Sequence, residues 1–386
     1  AAAQEWTAAA ISKCVAAGTL ILTNKGLIPI EELGEARGVD VFGLPKHGLQ
    51  VLAPDGSWRR VTSHYSGGVK KVRSVTFSNG AKITGSLTHR VMTDAGWALL
   101  ADLAVGDVVQ VRLDSRHANL GGGALPSVEF AGRAKRFVTP TRMTADLAAI
   151  IGALCADGHL EETTGTVALH SANSVVAARY RELWAVVFSE LTLLERVDGN
   201  GVLMQWVNSR PLVRWLRSLM GYRSPDKVIP EQIFRGSRDE QLAFLGGLSL
   251  DGFKVGQRGR ASTVIYMGRS EQLARGVYTI SAALGLRPRF NISHVKSTGY
   301  DVYGTRVDNF TWAWEEHKNT TCELTSRQLV PVKSEVKVAA GGGGAISVLT
   351  ARKWRRGDYK LVYSTTLDRL GIQYDLSLAR HRHPRH

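Results

Sequence analysis

Two apolar segments of the chain end in the same dipeptide, Asp-Gly. IIGALCADG covers residues 150–158 and FLGGLSLDG covers 244–252, so that Asp157 and Asp251 lie 94 residues apart. Both segments are apolar almost all round, which predicts two buried helices that end at Gly158 and Gly252 in the left-handed C′ conformation. A carboxylate at a helix C-terminus is disfavoured by the helix dipole, and a second one beside it adds repulsion. Mg²⁺ would neutralise both, and such a site supports phosphodiester cleavage.

The same segments belong to a weak internal repeat. VALHSANSVVAARY at 167–180 matches VIYMGRSEQLARGV at 264–277, an offset of 97 residues that is close to the 94 between the two aspartates. Two similar offsets predict a duplicated helix–strand–strand–helix unit and therefore a domain with internal pseudo-twofold symmetry. We place the repeats at about 144–235 and 239–335, because helical and strand-like patterns alternate there.

Both Asp-Gly segments resemble the LAGLIDADG motif of homing endonucleases. The acidic residue and the final glycine are intact in both, while Cys155 and Ser249 occupy the sixth position. The resemblance implies a saddle of β-ribbons lying in the DNA major groove, with Asp157 and Asp251 as metal ligands for a site-specific, Mg²⁺-dependent double-strand break. KVIP at 227–230 is similar to the block after the first repeat in intein-borne members. Lys227 is therefore the candidate basic catalytic residue near the active site, and Lys318 is its counterpart in the second half, which no motif supports.

A second set of reactive residues lies near the start of the chain. Cys14 opens CVAAGTLILT, and GSLTHRV contains Ser86 and His89. A thiolate nucleophile needs a neighbour that moves protons or polarises the peptide it attacks. CVAAGTLIL resembles the N-terminal block of inteins, whose first cysteine performs an N-to-S acyl shift, and GSLTHRV resembles the second block, with Ser86 in the usual threonine place. IQYDLSL at 372–378 is similar to a late block, with Asp375 at its polar position.

These resemblances imply a multidomain α+β chain, in which a β-rich, horseshoe-like Hint splicing domain is interrupted by a pseudo-twofold α/β endonuclease domain. Asn-Gly at 79–80 predicts one of the β-hairpins. The terminal sequence RHRHPRH lacks the asparagine that completes splicing, so we expect the chain as given to start the acyl shift without finishing the reaction. The predicted boundaries are 1–13 for extein-like flanking residues, 14–113 and 358–386 for the two Hint parts, 114–143 for a basic linker or DNA-contacting arm, 144–335 for the endonuclease and 336–357 for a Gly-rich, basic linker.

Charge favours a polyanionic partner. The 386 residues include 49 Lys and Arg against 34 Asp and Glu, a net charge of +15. Three cysteines exclude a disulfide framework, and no apolar run reaches the ~18 residues of a membrane span. We therefore expect a cytoplasmic monomer that makes no membrane contact. Its expected partners are the flanking exteins and double-stranded DNA that carries the target site in an intein-free host gene.

DNA contacts are expected on the strands of the repeats and in two basic segments. The strand residues are Trp206, Asn208, Tyr266, Arg269, Tyr303 and Arg306, and the residues of the basic segments are Arg133, Lys135, Arg136, Arg352, Lys353, Arg355 and Arg356. Two alternatives stay open. In the first, the middle domain is a DNA- or RNA-binding relic similar to a maturase. In the second, only the autoprocessing activity at Cys14 remains.

Overall fold

The computed structural model describes residues 14–53, 56–111, 122–130, 132, 134–171, 173–198, 201–251, 253–256, 261–295, 297–308 and 328–331. The chain divides into two compact units. One comprises Ala1–Ile21, Pro29–Leu113 and Glu323–His386, and the other comprises Leu22–Ile28 and Asp114–Cys322. Within the described residues, no helix is long and apolar enough to cross a membrane.

The regular elements are mixed α/β, and most strand pairs in the sheets are antiparallel. The strands are β1 (Leu20–Thr23), β2 (Gly26–Pro29), β3 (Val41–Gly43), β4 (Gln50–Leu52), β5 (Trp58–Arg60), β6 (His64–Ser66), β7 (Val72–Thr76), β8 (Lys82–Ser86), β9 (Arg90–Thr93), β10 (Gly96–Leu99), β11 (Val108–Val111), β12 (Gly158–Glu161), β13 (Thr166–Ser171), β14 (Leu194–Val197), β15 (Leu203–Asn208), β16 (Phe253–Gly256), β17 (Ala261–Gly268), β18 (Arg287–Val295), β19 (Tyr300–Asp308) and β20 (Gln328–Pro331). The α-helices are α1 (Ala145–Asp157), α2 (Ser174–Val187), α3 (Arg210–Met220), α4 (Glu231–Phe234), α5 (Arg238–Leu248) and α6 (Glu271–Ala283).

Short strands and tight turns dominate residues 14–111, as their sequence predicts. The predicted Asn-Gly hairpin joins β7 to β8, and Gly80 has φ +85°, a conformation that suits glycine. A small core supports these strands, formed by Val75, Phe77, Leu100, Leu103 and Val109. Burial of such apolar side chains is the main stabilising contribution that such short strands receive.

The strand β20 returns to this part of the chain from far along the sequence. It pairs with β11, with Val330 opposite Val109, in a sheet of order β10-β9-β11-β20. Residues 328–331, which were predicted to end the second repeat, instead extend the sheet of β9–β11. The segment between β11 and β20 is thus an insertion between two strands of one sheet.

The duplicated unit is confirmed by the strand topology. The order β12-β13-β15-β14 follows α1, and the order β16-β17-β19-β18 follows α5, with α2 and α6 at corresponding places. Equivalent contacts tie each sheet to its helix: Gln205 Nε2 donates to the Ala177 carbonyl at 3.1 Å, and Thr305 Oγ1 donates to the Ala274 carbonyl at 2.6 Å. A β-bulge between Val264 and Tyr266 adds a residue to the second repeat, which accounts for part of the drift in the sequence offset.

The helices α1 and α5 pack against each other as the buried pair at the centre of the repeats. Thr144 caps α1, and Ser237 with Glu240 forms a capping box on α5. The predicted left-handed end of α1 is wrong. Gly158 has φ −81° and ψ 149°, because β12 starts at this residue without an intervening turn. The helix α5 ends at Leu248 and continues as a 3-10 turn, Ser249–Asp251.

Candidate functional site

Two glycines let the backbones of α1 and α5 approach closely. A Cβ atom on Gly152 would lie 2.2 Å from the Phe244 carbonyl oxygen, and one on Gly247 would lie 2.1 Å from the Ala149 carbonyl oxygen. The contacts are reciprocal, as expected for two elements related by a local twofold. The turn Ser249–Asp251 packs against α1. The helix pair therefore carries Asp157 and Asp251 at the ends of two touching elements.

The end of α1 is closed by Lys227, a buried residue with 7% of its surface exposed. Its ammonium donates to carbonyl groups in the last turn of the helix and at the start of β12. The acceptors are the oxygens of Leu154 (3.0 Å), Cys155 (2.9 Å), Ala156 (3.4 Å) and Gly158 (3.2 Å). A positive charge at a helix C-terminus is favourable. The structure thus brings Lys227 beside Asp157, as the KVIP block predicts.

The carboxyl group of Asp157 lies in a mixed environment. The residue keeps an exposed surface, yet the protein packed around its carboxyl group raises the pKa, while the nearby charges of Lys227 and His170 act in the opposite direction. Burial penalises the ionised form, and a cation would compensate for that penalty. His170 was missed in the sequence because VALHS is an ordinary strand pattern. The register of β12 on β13 brings it close, since Gly158 pairs with Leu169.

Asp251 ends the 3-10 turn that follows α5, where Ser249 Oγ donates to the Gly246 carbonyl at 2.7 Å. Its backbone position corresponds to that of Asp157. Among the described residues, no group of three or more His, Cys, Asp or Glu side chains is placed to hold a metal ion.

The faces of the two sheets that point away from α2 and α6 carry several of the predicted contact residues. In the first sheet, Gln205 and Val207 point toward the helix, so Trp206 and Asn208 lie on the opposite face. In the second sheet, Thr305 points toward α6, so Arg306 lies on the opposite face, directly across from Arg289. Arg289 was missed because RPRF carries no motif, and only the strand register reveals its neighbour.

Two of the predicted strand contacts do not lie on this open face. Tyr266 is only 3% exposed, and its hydroxyl accepts a hydrogen bond from the Ser270 amide, so the prediction of a DNA contact is wrong for this residue. The bulge beside it turns the side chain inward. Tyr303 is two residues from Thr305 and therefore shares its helix-side face. Arg269 stacks on the Tyr300 ring, with 3.9 Å between the guanidinium carbon and the ring centroid.

The basic segment near residue 135 is docked against its own unit. Lys135 Nζ donates to the Glu190 carbonyl at 2.7 Å, and Arg136 lies 5.9 Å from the Phe130 ring centroid. Phe137 is buried and packs edge-on against Phe188. Residues 135–137 of the predicted linker or DNA-contacting arm thus pack against their own unit. Arg133, Lys318, Arg352, Lys353, Arg355, Arg356 and Asp375 lie outside the described residues.

Cys14, Ser86 and His89 come together in the β-rich unit. The Cys14 amide lies 3.3 Å from Ser86 Oγ, the Ser86 amide donates to the Cys14 carbonyl at 2.8 Å, and the His89 amide donates to the Ser86 carbonyl at 2.9 Å. A Cβ on Gly85 would lie 2.8 Å from the Cys14 carbonyl oxygen and 3.3 Å from His89 Cβ. The pairing of residues 14–15 with the end of β8 therefore positions the Cys14 backbone beside the predicted serine and histidine.

Lys70, which no sequence motif marks, lies near the thiol of Cys14. A Cβ on Gly67 would lie 3.1 Å from Lys70 Nζ and 3.2 Å from Cys14 Sγ, so the two atoms are neighbours. Lys70 Nζ donates to Asp40 Oδ1 at 3.0 Å and to the Tyr65 hydroxyl at 3.2 Å. These hydrogen bonds raise the pKa of Lys70, that from Tyr65 most strongly, and so favour its charged form. A positive charge, itself paired with Asp40, thus lies near the sulfur.

Comparison with solved structures finds partial similarity to homing endonucleases. I-DmoI in complex with DNA and Ca matches with a TM-score of 0.32 and 16% identity, over 42% of this chain and 82% of that chain. I-DmoI in complex with DNA and Mn gives the same TM-score at 17% identity, covering 42% and 89%. I-WcaI bound to its DNA recognition sequence matches with a TM-score of 0.29 and 12% identity, covering 44% and 77%.

Comparison with curated proteins finds relatives of two kinds. Replicative DNA helicase DnaB from Rhodothermus marinus is 28% identical over 319 residues, which are 77% of this chain and 30% of that protein. DnaB from Nostoc sp. (strain PCC 7120 / SAG 25.82 / UTEX 2576) is 25% identical over 320 residues, covering 77% and 32%. Replication factor C small subunit from Thermococcus kodakarensis is 23% identical over 295 residues, covering 75% and 31%. The chain thus spans about a third of the length of these relatives. No protein-family model matches the chain.

Proposed function

We propose that this chain is an intein-type element whose inserted unit is a site-specific DNA endonuclease that makes an Mg²⁺-dependent double-strand break. The observation that carries the proposal is the position of Asp157 and Asp251 at the ends of two touching helices in a duplicated fold. A pair of like-charged groups there has no structural benefit, since the dipole of α1 disfavours a carboxylate at Asp157 and a second carboxylate adds repulsion. The pair of aspartates would serve as a cation site in a unit whose two sheets each have a face pointing away from α2 or α6.

The residues suit a hard divalent cation. Burial raises the pKa of Asp157, so its ionised form needs a compensating charge. When bound, Mg²⁺ supplies an activated water and stabilises the leaving oxygen in phosphodiester hydrolysis. In the proposal, Asp157 and Asp251 hold the cation, and the scissile phosphate supplies the oxygen ligands that the protein does not.

Lys227 and His170 are proposed to act around this centre. Lys227 fixes the end of α1 through its hydrogen bonds to the Leu154 and Cys155 carbonyl groups, and its charge lowers the pKa of the Asp157 carboxyl group against the effect of burial. His170 is exposed on β13 near Asp157, and an imidazole is the commonest general acid or base in active sites. Lys227 is therefore a positioning residue with an electrostatic effect on Asp157, and His170 is a candidate proton carrier.

The open faces of the two sheets are proposed to bind duplex DNA. Each face mixes polar and aromatic side chains such as Trp206, Asn208 and Arg306, and an antiparallel ribbon fits the major groove. The excess of basic residues adds the sequence-independent attraction to phosphates. Two similar sheets in one chain would let a monomer cover two halves of a long site.

The surrounding β-rich unit is proposed to be a Hint-type splicing domain. In the acyl shift, Cys14 Sγ attacks the carbonyl carbon of Lys13, the bond from that carbon to the Cys14 nitrogen breaks, and the thiol proton ends on the freed amine. The insertion between β11 and β20 supports this assignment. The comparisons also support it. About three quarters of this chain matches about a third of the length of proteins with different names, as a mobile inserted element would.

The deciding experiment is cleavage of a plasmid library of intein-free candidate host genes, with Mg²⁺ and with EDTA. A discrete cut that needs Mg²⁺ and disappears in both Asp157→Asn and Asp251→Asn supports the proposal. Cutting by both variants would show that the site is misassigned. Tight, salt-sensitive binding without any cut would indicate a DNA-binding relic, and preference for folded RNA would indicate a maturase-like module.

A further inference from the structure

We propose that the two halves of the DNA target differ in base composition, because the sheets present different chemistry at equivalent positions. In this proposal the second sheet reads guanine through Arg289 and Arg306, and the first reads an A·T pair through apolar contact of Leu194 and Trp206 with a thymine methyl group. The inference rests on the proposed function, since it assumes that both open sheet faces contact duplex DNA.

The equivalence of these positions follows from the register of each sheet. Gln205 and Thr305 occupy the same place, because each donates from the strand to a helix carbonyl, that of Ala177 or Ala274. The next residue along each strand is Trp206 in one repeat and Arg306 in the other. Trp206 pairs with Leu194, and Arg306 pairs with Arg289. Duplication has therefore placed an apolar pair and a doubly charged pair at corresponding points.

The second sheet carries arginine donors that the described residues leave unsatisfied. Arg306 Nε is buried and has no hydrogen-bond partner among the described residues, and neither do Nε and Nη2 of Arg287, two residues from Arg289 on the same face. Buried donors without acceptors cost free energy. Acceptors brought by a ligand would satisfy them, and guanine O6 and N7 match the fork of an arginine.

The first sheet offers the opposite surface at this point. Leu194 is 45% exposed although it is a large apolar side chain, and Trp206 is half-buried beside it. Neither can form a bidentate hydrogen bond to guanine. Arg196 is the positively charged neighbour on this face, opposite Met204, and lies two residues from the Leu194–Trp206 pair. An apolar pair of this kind fits a thymine methyl group and gains nothing from guanine.

The test is selection of bound and cleaved sequences from a library randomised across the whole target, with the full chain and Mg²⁺. We expect guanine enrichment in one half and A·T enrichment in the other. Arg289→Ala combined with Arg306→Ala should reduce the guanine preference about tenfold in its own half only. Leu194→Ala combined with Trp206→Ala should relax the other half only. Arg214→Ala, on the outer surface of α3, is the matched control and should leave both preferences unchanged.

Each result decides the matter. A specific target with the same composition in both halves would overturn the inference and leave the endonuclease proposal intact. Uniform weakening by the arginine variants, with a lower salt dependence and no change of preference, would mean that the pair contacts phosphate and would also overturn it. Failure to select any sequence would remove the proposed function and this inference together. The conservative Arg306→Lys variant guards against misfolding, since it keeps the charge but not the bidentate fork.

Discussion

Gly152 and Gly247 each lie against the backbone of the other's helix. A Cβ atom on Gly152 would lie only 2.2 Å, and one on Gly247 only 2.1 Å, from a carbonyl oxygen of the opposite helix. Because each glycine contacts the partner helix near the other glycine, the contact fixes how far α1 and α5 approach. It also fixes the relative position of their ends, where Asp157 and Asp251 lie. The close approach is thus a requirement of the candidate site as well as of packing.

Replacing either glycine with alanine should therefore impair stability and cleavage together. Overpacking of this kind costs about 1–3 kcal/mol, since neither helix backbone can move away without disturbing the core. Thermal unfolding would report the loss, and cleavage at a temperature where the variant is folded would report the displaced aspartates. Val175→Ala, on the exposed side of α2, is the control and should change neither. Full activity of a folded Gly247→Ala variant would contradict the geometric role.

Lys227→Met should slow cleavage while DNA binding is retained. The ammonium satisfies carbonyl groups at the end of α1, and Met keeps the length of the side chain but cannot donate. Hydrogen bonds to a charged group contribute about 1.5–3 kcal/mol, so some loss of stability is also expected. Lys227→Arg keeps the charge and should recover part of the rate. If the Met variant loses stability but cuts at the normal rate, Lys227 is only a helix cap.

Asp157→Asn should abolish cleavage without harming the fold. Burial raises the pKa of the Asp157 carboxyl group, so a neutral amide of the same shape removes an electrostatic penalty. The variant should unfold at a temperature no lower than the parent and should bind target DNA with similar affinity, measured in the absence of divalent cations. A sharp fall in stability would instead indicate that the carboxylate is part of a structural hydrogen-bond network.

The sequence predicts the parts of this molecule whose signal is local, and misses those that depend on pairing across the sheets. All-round apolar character is sufficient to identify α1 and α5, and the KVIP block points to Lys227. Arg289 is recognised as a candidate contact residue only because it lies opposite Arg306 on the neighbouring strand, and no linear sequence pattern shows this pairing. Tyr266 is misassigned because a bulge breaks the alternation on which the prediction depends.

The same limit applies to the domain boundary. β20 has only four residues, too few for a recognisable strand pattern, and its assignment depends on the neighbour β11. His170 and Lys70 are likewise ordinary residues in sequence, and they become candidates because tertiary structure places one beside Asp157 and the other beside Cys14.

Treatment of the full chain with a strong external thiol should release Ala1–Lys13, because a thioester formed at Cys14 is open to thiol exchange. Mass spectrometry would identify the released peptide and the site of cleavage. Cys14→Ala should stop the release. His89→Ala should slow it by about 10²-fold or more, the usual contribution of a positioned proton-transfer group. Ser86→Ala should have a smaller effect, because it removes one contact to the Cys14 amide.

Cys155→Ala is the matched control for this experiment. Cys155 is buried, and burial raises the pKa of its thiol to about 12, so it stays protonated and unreactive at neutral pH. Release should therefore proceed at the parent rate in this variant. Loss of release in Cys155→Ala, or persistence in Cys14→Ala, would show that the reacting bond is not the one before Cys14. Because the thiol reaction needs no divalent cation, the same samples with EDTA would separate this chemistry from DNA cleavage.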